Sequence, residues 1–152
     1  MWTHSIIAVL QKEDGSVKSI FCHRQSRVSE VGKVLLTYYN TYEKANALIA
    51  LGNVEWLRQR LNPLPEAPEA HMLEPEIITT HSFERPQVGV TVAYHRDGGK
   101  KFVQKVDPSI DSFYQSRYLQ DYSYLFMDGK WYVTSITIKP HEYEVSRRKS
   151  AA

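Results

Sequence analysis

The sequence predicts a single α+β domain: a mostly antiparallel sheet of about five strands, with three or four helices packed on one face. Three observations carry that prediction. Residues 6–10 (IIAVL) and 17–22 (VKSIFC) are strand-length runs flanking Asp14-Gly15, a pair that tolerates the positive φ of a tight hairpin turn. A second hairpin is written around Asp128-Gly129, between residues 122–127 and 130–138. Between the two hairpins, Val28, Val31, Leu35 and Tyr38 recur in steps of three and four, which places them on one face of a helix.

Taken in order, the unbroken run IIAVL lacks polar alternation and fits a strand covered on both faces, near the middle of the sheet. After the polar loop Arg24-Gln25-Ser26-Arg27, either Ser26 or Ser29 is placed to cap the first helix. Asn40 with Glu43 has the spacing of a capping box for a second helix, buried through Ala45, Leu48 and Ile49 and stopped at Gly52. Asn53 is read as the cap of a short third helix holding Trp56 and Leu57. Residues 61–86 carry Pro63, Pro65, Pro68, Pro75 and Pro86 together with Glu66, Glu69, Glu74 and Glu76, a composition that excludes a long helix and favours an extended internal loop. Residues 90–94 read as a strand and Arg96-Asp97-Gly98-Gly99 as a turn, with residues 101–106 extended. Asp107-Pro108 has the form of a helix opening, followed by Ile110, Phe113, Tyr114 and Tyr118 on one face. The single domain is thus expected over residues 1–140, with a disordered polar tail at 141–152.

A chain of 152 residues can bury a core without covalent staples, and 42% hydrophobic residues is an ordinary globular content. The net charge of +2 is too small to demand a nucleic-acid partner. Cys22 is the only cysteine, which excludes an internal disulfide and fits a soluble protein of a reducing cytoplasm; no apolar run is long enough to span a membrane.

Cys22-His23 pairs a thiol with an imidazole, the makings of a nucleophile and base or of two metal ligands. Neighbours on a strand point to opposite faces, however, which favours packing for Cys22 and a loop or interface role for His23. The remaining histidines (His4, His71, His81, His95, His141) are scattered without metal-site spacing, so no metal or other cofactor is expected. Neither His4-Ser5 nor His81-Ser82 matches a two-histidine phosphoesterase. Residues 98–101 (GGKK) lack the spacing of a phosphate loop. Tyr94-His95-Arg96-Asp97 gathers a base, a cation and a carboxylate on what reads as a solvated turn. Basic residues cluster at Arg24/Arg27, at Arg58/Arg60, at Lys100/Lys101/Lys105 and at Arg147/Arg148/Lys149, interleaved with some of the ten tyrosines. Such a pattern suits a phosphate backbone or a protein interface.

Five pieces in this order, SIFCH, VGKVLLTYY, EKANALIALGN, HSFERPQVGVTVAYHRDGG and YSYLFMDGKWYV, resemble a family of small bacteriophage and prophage proteins of mostly unassigned function. Family members follow Cys-His with a Trp-Asp-Gly-Tyr type of turn, where this chain has Arg24-Gln25-Ser26-Arg27, and residues 61–75 look like an addition. The resemblance implies a phage-encoded accessory protein made in the host cytoplasm, and it supplies no catalytic residues. The expected function is non-catalytic binding of a host protein, for host takeover or to block a defence system. The expected contact residues are His23, Arg24 and Arg27 in one loop and Tyr94, His95 and Arg96 in another. A nucleic-acid binding module is the alternative; a hydrolase built on His81, His95 and Asp97 is a second. Self-association through an exposed sheet edge offers a route to a homodimer.

Overall fold

A computed structural model describes residues 3–64, 80–116 and 121–135. In chain order the elements are β1 (Ser5–Leu10), β2 (Val17–Cys22), a wide π turn (Val28–Gly32) running into α1 (Lys33–Tyr38), α2 (Tyr42–Ile49), β3 (Val54–Trp56), β4 (Val92–Ala93), α3 (Tyr94–Gly98), β5 (Lys105–Asp107), α4 (Ile110–Ser116), β6 (Tyr122–Met127) and β7 (Lys130–Ser135). The core of the proline-rich stretch, residues 65–79, and the expected tail lie outside the described residues.

Both predicted hairpins form. β1 and β2 pair antiparallel from Ser5↔Cys22 to Leu10↔Val17, and the Asp14 carboxylate accepts the Ser16 N–H and hydroxyl to hold the turn. β6 and β7 pair from Tyr122↔Ser135 to Met127↔Lys130, with both Asp128 and Gly129 at positive φ.

The α+β class holds, while the sheet departs from its expected form. Among the described residues it has seven strands, where about five were expected, in the order β4-β3-β2-β1-β6-β7, with β5 on the outer edge of β2. It is mixed: β1 pairs β6 in parallel (Ser5↔Tyr122 to Val9↔Phe126), and β2 pairs β3 in parallel at Cys22↔Val54. The helical segment between β2 and β3 provides the crossover that a parallel pairing requires.

Helices also cover both faces, not one. Leu35 of α1 and Ala45, Leu48 and Ile49 of α2 pack with Ile7, Val9, Ile20, Tyr124, Trp131 and Val133. On the opposite face, Phe113 of α4 packs with Ala8, Val17 and Leu125. Alternation along β1 sends Ile7 and Val9 to one core and Ala8 to the other, which explains why IIAVL carries no polar residue.

Three local expectations are corrected. Residues 54–56 are strand, because the open edge of β2 captures them: the Phe21 N–H donates to Asn53 Oδ1 (2.9 Å) and the His23 N–H to the Val54 carbonyl (3.1 Å). The supposed turn at 94–97 is helix α3, closed by Gly99 at φ +66. Capping falls one or two residues from the expected positions. Thr41 Oγ1, not Asn40, accepts the Lys44 N–H, and Ser109 Oγ, not Asp107, accepts the Ser112 N–H. At the π turn no serine caps; Glu30 Oε1 accepts the Arg27 N–H (3.3 Å).

Candidate functional site

Cys22 and Val54 lie side by side and face the α1–α2 core, so the next residues of the two strands, His23 and Glu55, emerge together on the opposite face. Tyr94, the first residue of α3, completes the group. Its hydroxyl donates to Glu55 Oε1 and lies 2.9 Å from His23 Nδ1. Arg24 Nε donates to Glu55 Oε2 (3.0 Å). A phenol has one proton; since Tyr94 gives it to Glu55, His23 Nδ1 is the donor in the second bond. His4 Nδ1 donates to the His23 carbonyl (2.8 Å), which fixes the backbone as well as the ring.

Half-buried rings surround this polar centre. His4 lies 5.6 Å from Phe21 and 4.9 Å from His23, and Phe83 lies 5.2 Å from Tyr94, centroid to centroid. On the flank of β3, the guanidinium carbons of Arg24 and Arg58 lie 4.9 and 4.7 Å from the centre of the Trp56 ring, within cation–π range.

Burial alone would raise the Glu55 pKa, but the hydrogen bonds from Tyr94 and Arg24 outweigh it and hold the carboxyl below its ordinary value. Burial, then the bond to anionic Glu55, push the Tyr94 phenol up. At neutral pH the two are therefore a fixed acceptor and a fixed donor, not a pair that exchanges a proton. Burial also pushes the Cys22 thiol up to about 11, and its Sγ lies 3.6 Å from the Arg24 carbonyl, inside the core. An un-ionised thiol facing away from His23 is not an activated nucleophile.

The structure thus brings three of the six expected contact residues, His23, Arg24 and Tyr94, into one cluster. It does not bring in the others. Arg27 is exposed at the start of the π turn. His95 is exposed on α3, its Nδ1 donating to the Lys100 carbonyl (2.7 Å). Arg96 serves the fold, donating to both Asp97 oxygens (2.8 and 3.1 Å) and to the Leu61 and Thr91 carbonyls (2.7 and 2.8 Å). The trio of the hydrolase alternative is split. His81 Nε2 lies 3.0 Å from Asp97 with both side chains buried, and Asp97 also accepts the Ala93 N–H (2.8 Å). His81 Nδ1 accepts the Gln87 N–H (3.0 Å), which closes the 80–87 segment on itself, while Nε2 faces Asp97 of α3.

Glu55, Trp56 and Phe21 were missed because residues 54–57 read as helix and Phe21 as ordinary strand. The signal within reach was the Glu55-Trp56 pair followed by Arg58, one acid and one ring among cations. Among the described residues, no group of three His, Cys, Asp or Glu side chains is placed to hold a metal ion. Comparison with protein-family models, with curated proteins and with solved structures finds no match for the chain.

Proposed function

We propose that the chain is a non-catalytic protein-binding module, encoded by a phage and directed at a host protein in the host cytoplasm, either to redirect it or to block a defence system. The observation that carries the binding part is the cluster at the ends of β2 and β3: half-buried His23, Tyr94 and Arg24 are locked by hydrogen bonds around Glu55, with Phe21, Phe83 and Trp56 packed at their flanks. Rigid aromatic and arginine side chains are what protein interfaces use as anchors, because little entropy is lost when they are covered. The phage context is supported by the sequence resemblance alone.

Affinity capture of the tagged chain from a bacterial lysate, with and without nuclease, tests this reading. A stoichiometric protein that survives nuclease, is lost in the Arg24→Ala/Tyr94→Phe double variant and is retained in Arg27→Ala is the expected result. Nucleic acid as the sole ligand, with binding that weakens steeply with salt, would favour the alternative of a nucleic-acid module, which draws support from the two guanidinium groups gathered at Trp56.

A further inference from the structure

Building on the protein-binding reading, we infer that Arg58 is the anchor for one carboxylate of an acidic segment on the protein partner, received beside Trp56 at the end of β3. Arg58 is built into place. Its N–H donates to Thr91 Oγ1 (3.0 Å), and its carbonyl accepts the Tyr39 and Thr91 hydroxyls (2.7 and 3.1 Å). Its side chain is half-buried against the Trp56 ring. The other half-buried arginines nearby each have an acceptor: Arg24 has Glu55, Arg96 has Asp97, and Arg60 has the Val88 carbonyl (2.7 Å). Among the described residues, no carboxylate or carbonyl engages the Arg58 guanidinium, and burial lowers its pKa. A partly desolvated cation without a counter-charge is costly, and an incoming anion removes that cost. Stacking on an aromatic ring uses the face of a guanidinium, whereas its N–H donors lie in the plane, in the fork geometry that matches a carboxylate.

A protein carboxylate fits better than a nucleic-acid backbone. A phosphate track needs several uncompensated cations and open rings for bases. Here Arg24 is neutralised by Glu55, the Trp56 ring already carries two guanidinium groups, and Phe83 and Tyr94 pack on each other. A single unmatched cation calls for a single anion.

The test is an NMR titration of the full-length, 15N-labelled chain at low salt, read at the Arg58 Nε–H and Trp56 Nε1–H signals. The probes are hexaglutamate, hexaglutamine and an oligothymidylate. Saturable shifts of both signals with hexaglutamate and none with hexaglutamine are expected. Affinity should fall about tenfold in Arg58→Gln and stay at the wild-type level in Arg27→Gln. Arg58→Lys, which keeps the charge without the fork, should fall between, and circular dichroism confirms that each variant is folded. Absence of an Arg58 shift at about 10 mM peptide, weaker than any useful anchor, overturns the inference. So does an oligothymidylate affinity that depends on Arg58 more strongly than the peptide's. A peptide affinity that rises when Glu66, Glu69, Glu74 and Glu76 are all changed to Gln would assign Arg58 to the chain's own acidic stretch and equally overturn it. Lysate capture that persists in Arg58→Gln removes this anchor while leaving the protein-binding reading intact.

Discussion

The Tyr94 hydroxyl donates to Glu55 and accepts from His23 Nδ1, and the consequence is that three residues far apart in sequence become one rigid unit. Tyr94→Phe removes one of the two hydrogen bonds that Glu55 accepts, leaving that from Arg24 with His23 Nδ1 3.9 Å away, and removes the hydroxyl that faces His23 Nδ1. The expected cost is about 1–2 kcal/mol in urea denaturation, the value of a charge-assisted bond at a half-buried site. The Glu55 carboxyl should also titrate nearer its ordinary value, read by carbon NMR of the glutamate carboxyls; an unmoved Glu55 would mean the phenol is not its donor. Asp97 gives a sharper pH signature. Burial opposes its ionisation, but bonds from Arg96, the Ala93 N–H and His81 outweigh burial and hold its pKa below the ordinary aspartate value. A depressed folded-state pKa stabilises the fold above the unfolded carboxyl's pKa, and that stability is lost as pH falls through the folded value. Asp97→Asn should therefore cost about 3 kcal/mol at pH 7, where it breaks a buried ion pair. The gap to wild type should start to narrow only below the ordinary aspartate value and narrow further as pH falls through the depressed folded value. A gap that is constant with pH would show that the charge of Asp97 contributes nothing.

Among the elements, β3 is the one on which the cluster depends and the one that local sequence misrepresents. Asn53 is a good cap, which is what suggests a helix holding Trp56 and Leu57; what decides is the open edge of β2, a non-local partner, with Val54 and Trp56 themselves suited to a strand. Gly52 makes the turn into β3 at φ +77, and a Cβ there would meet the Val103 carbonyl oxygen at 2.9 Å. Gly52→Ala is accordingly expected to cost about 2 kcal/mol and to speed hydrogen exchange of the His23 amide, which donates to Val54. Unchanged exchange at His23 would mean that β3 holds its place without this turn. The same non-local pairing explains what was legible in the site. His23 and Arg24 stood out as a charged loop and Tyr94 as part of a polar run. That they meet at Glu55 follows from the Cys22↔Val54 register, for which the sequence carries no periodic signal.

At the scale of the molecule, β1 belongs to both cores at once. The hairpins and the central place of β1 were legible because turn chemistry and an unbroken apolar run are local. The count of strands was not, since β3, β4 and β5 are two or three residues long and exist only as partners of longer strands. Nor was the side on which α4 packs, because an amphipathic helix reads alike on either face of a sheet. The shared strand makes a definite demand on unfolding. Leu48→Ala opens the α2 side and Phe113→Ala the α4 side, each removing a fully buried side chain at an expected cost of about 3–4 kcal/mol. Because Ile7 and Val9 face one core and Ala8 the other, neither side can melt without releasing the strand on which the other depends. Both variants should therefore unfold in one urea transition, with Trp fluorescence, to which Trp131 of the first core contributes, superimposing on far-ultraviolet dichroism. Two separated transitions in Phe113→Ala, with the Trp131 signal lost second, would show instead that α4 is an appendage to a core that stands without it.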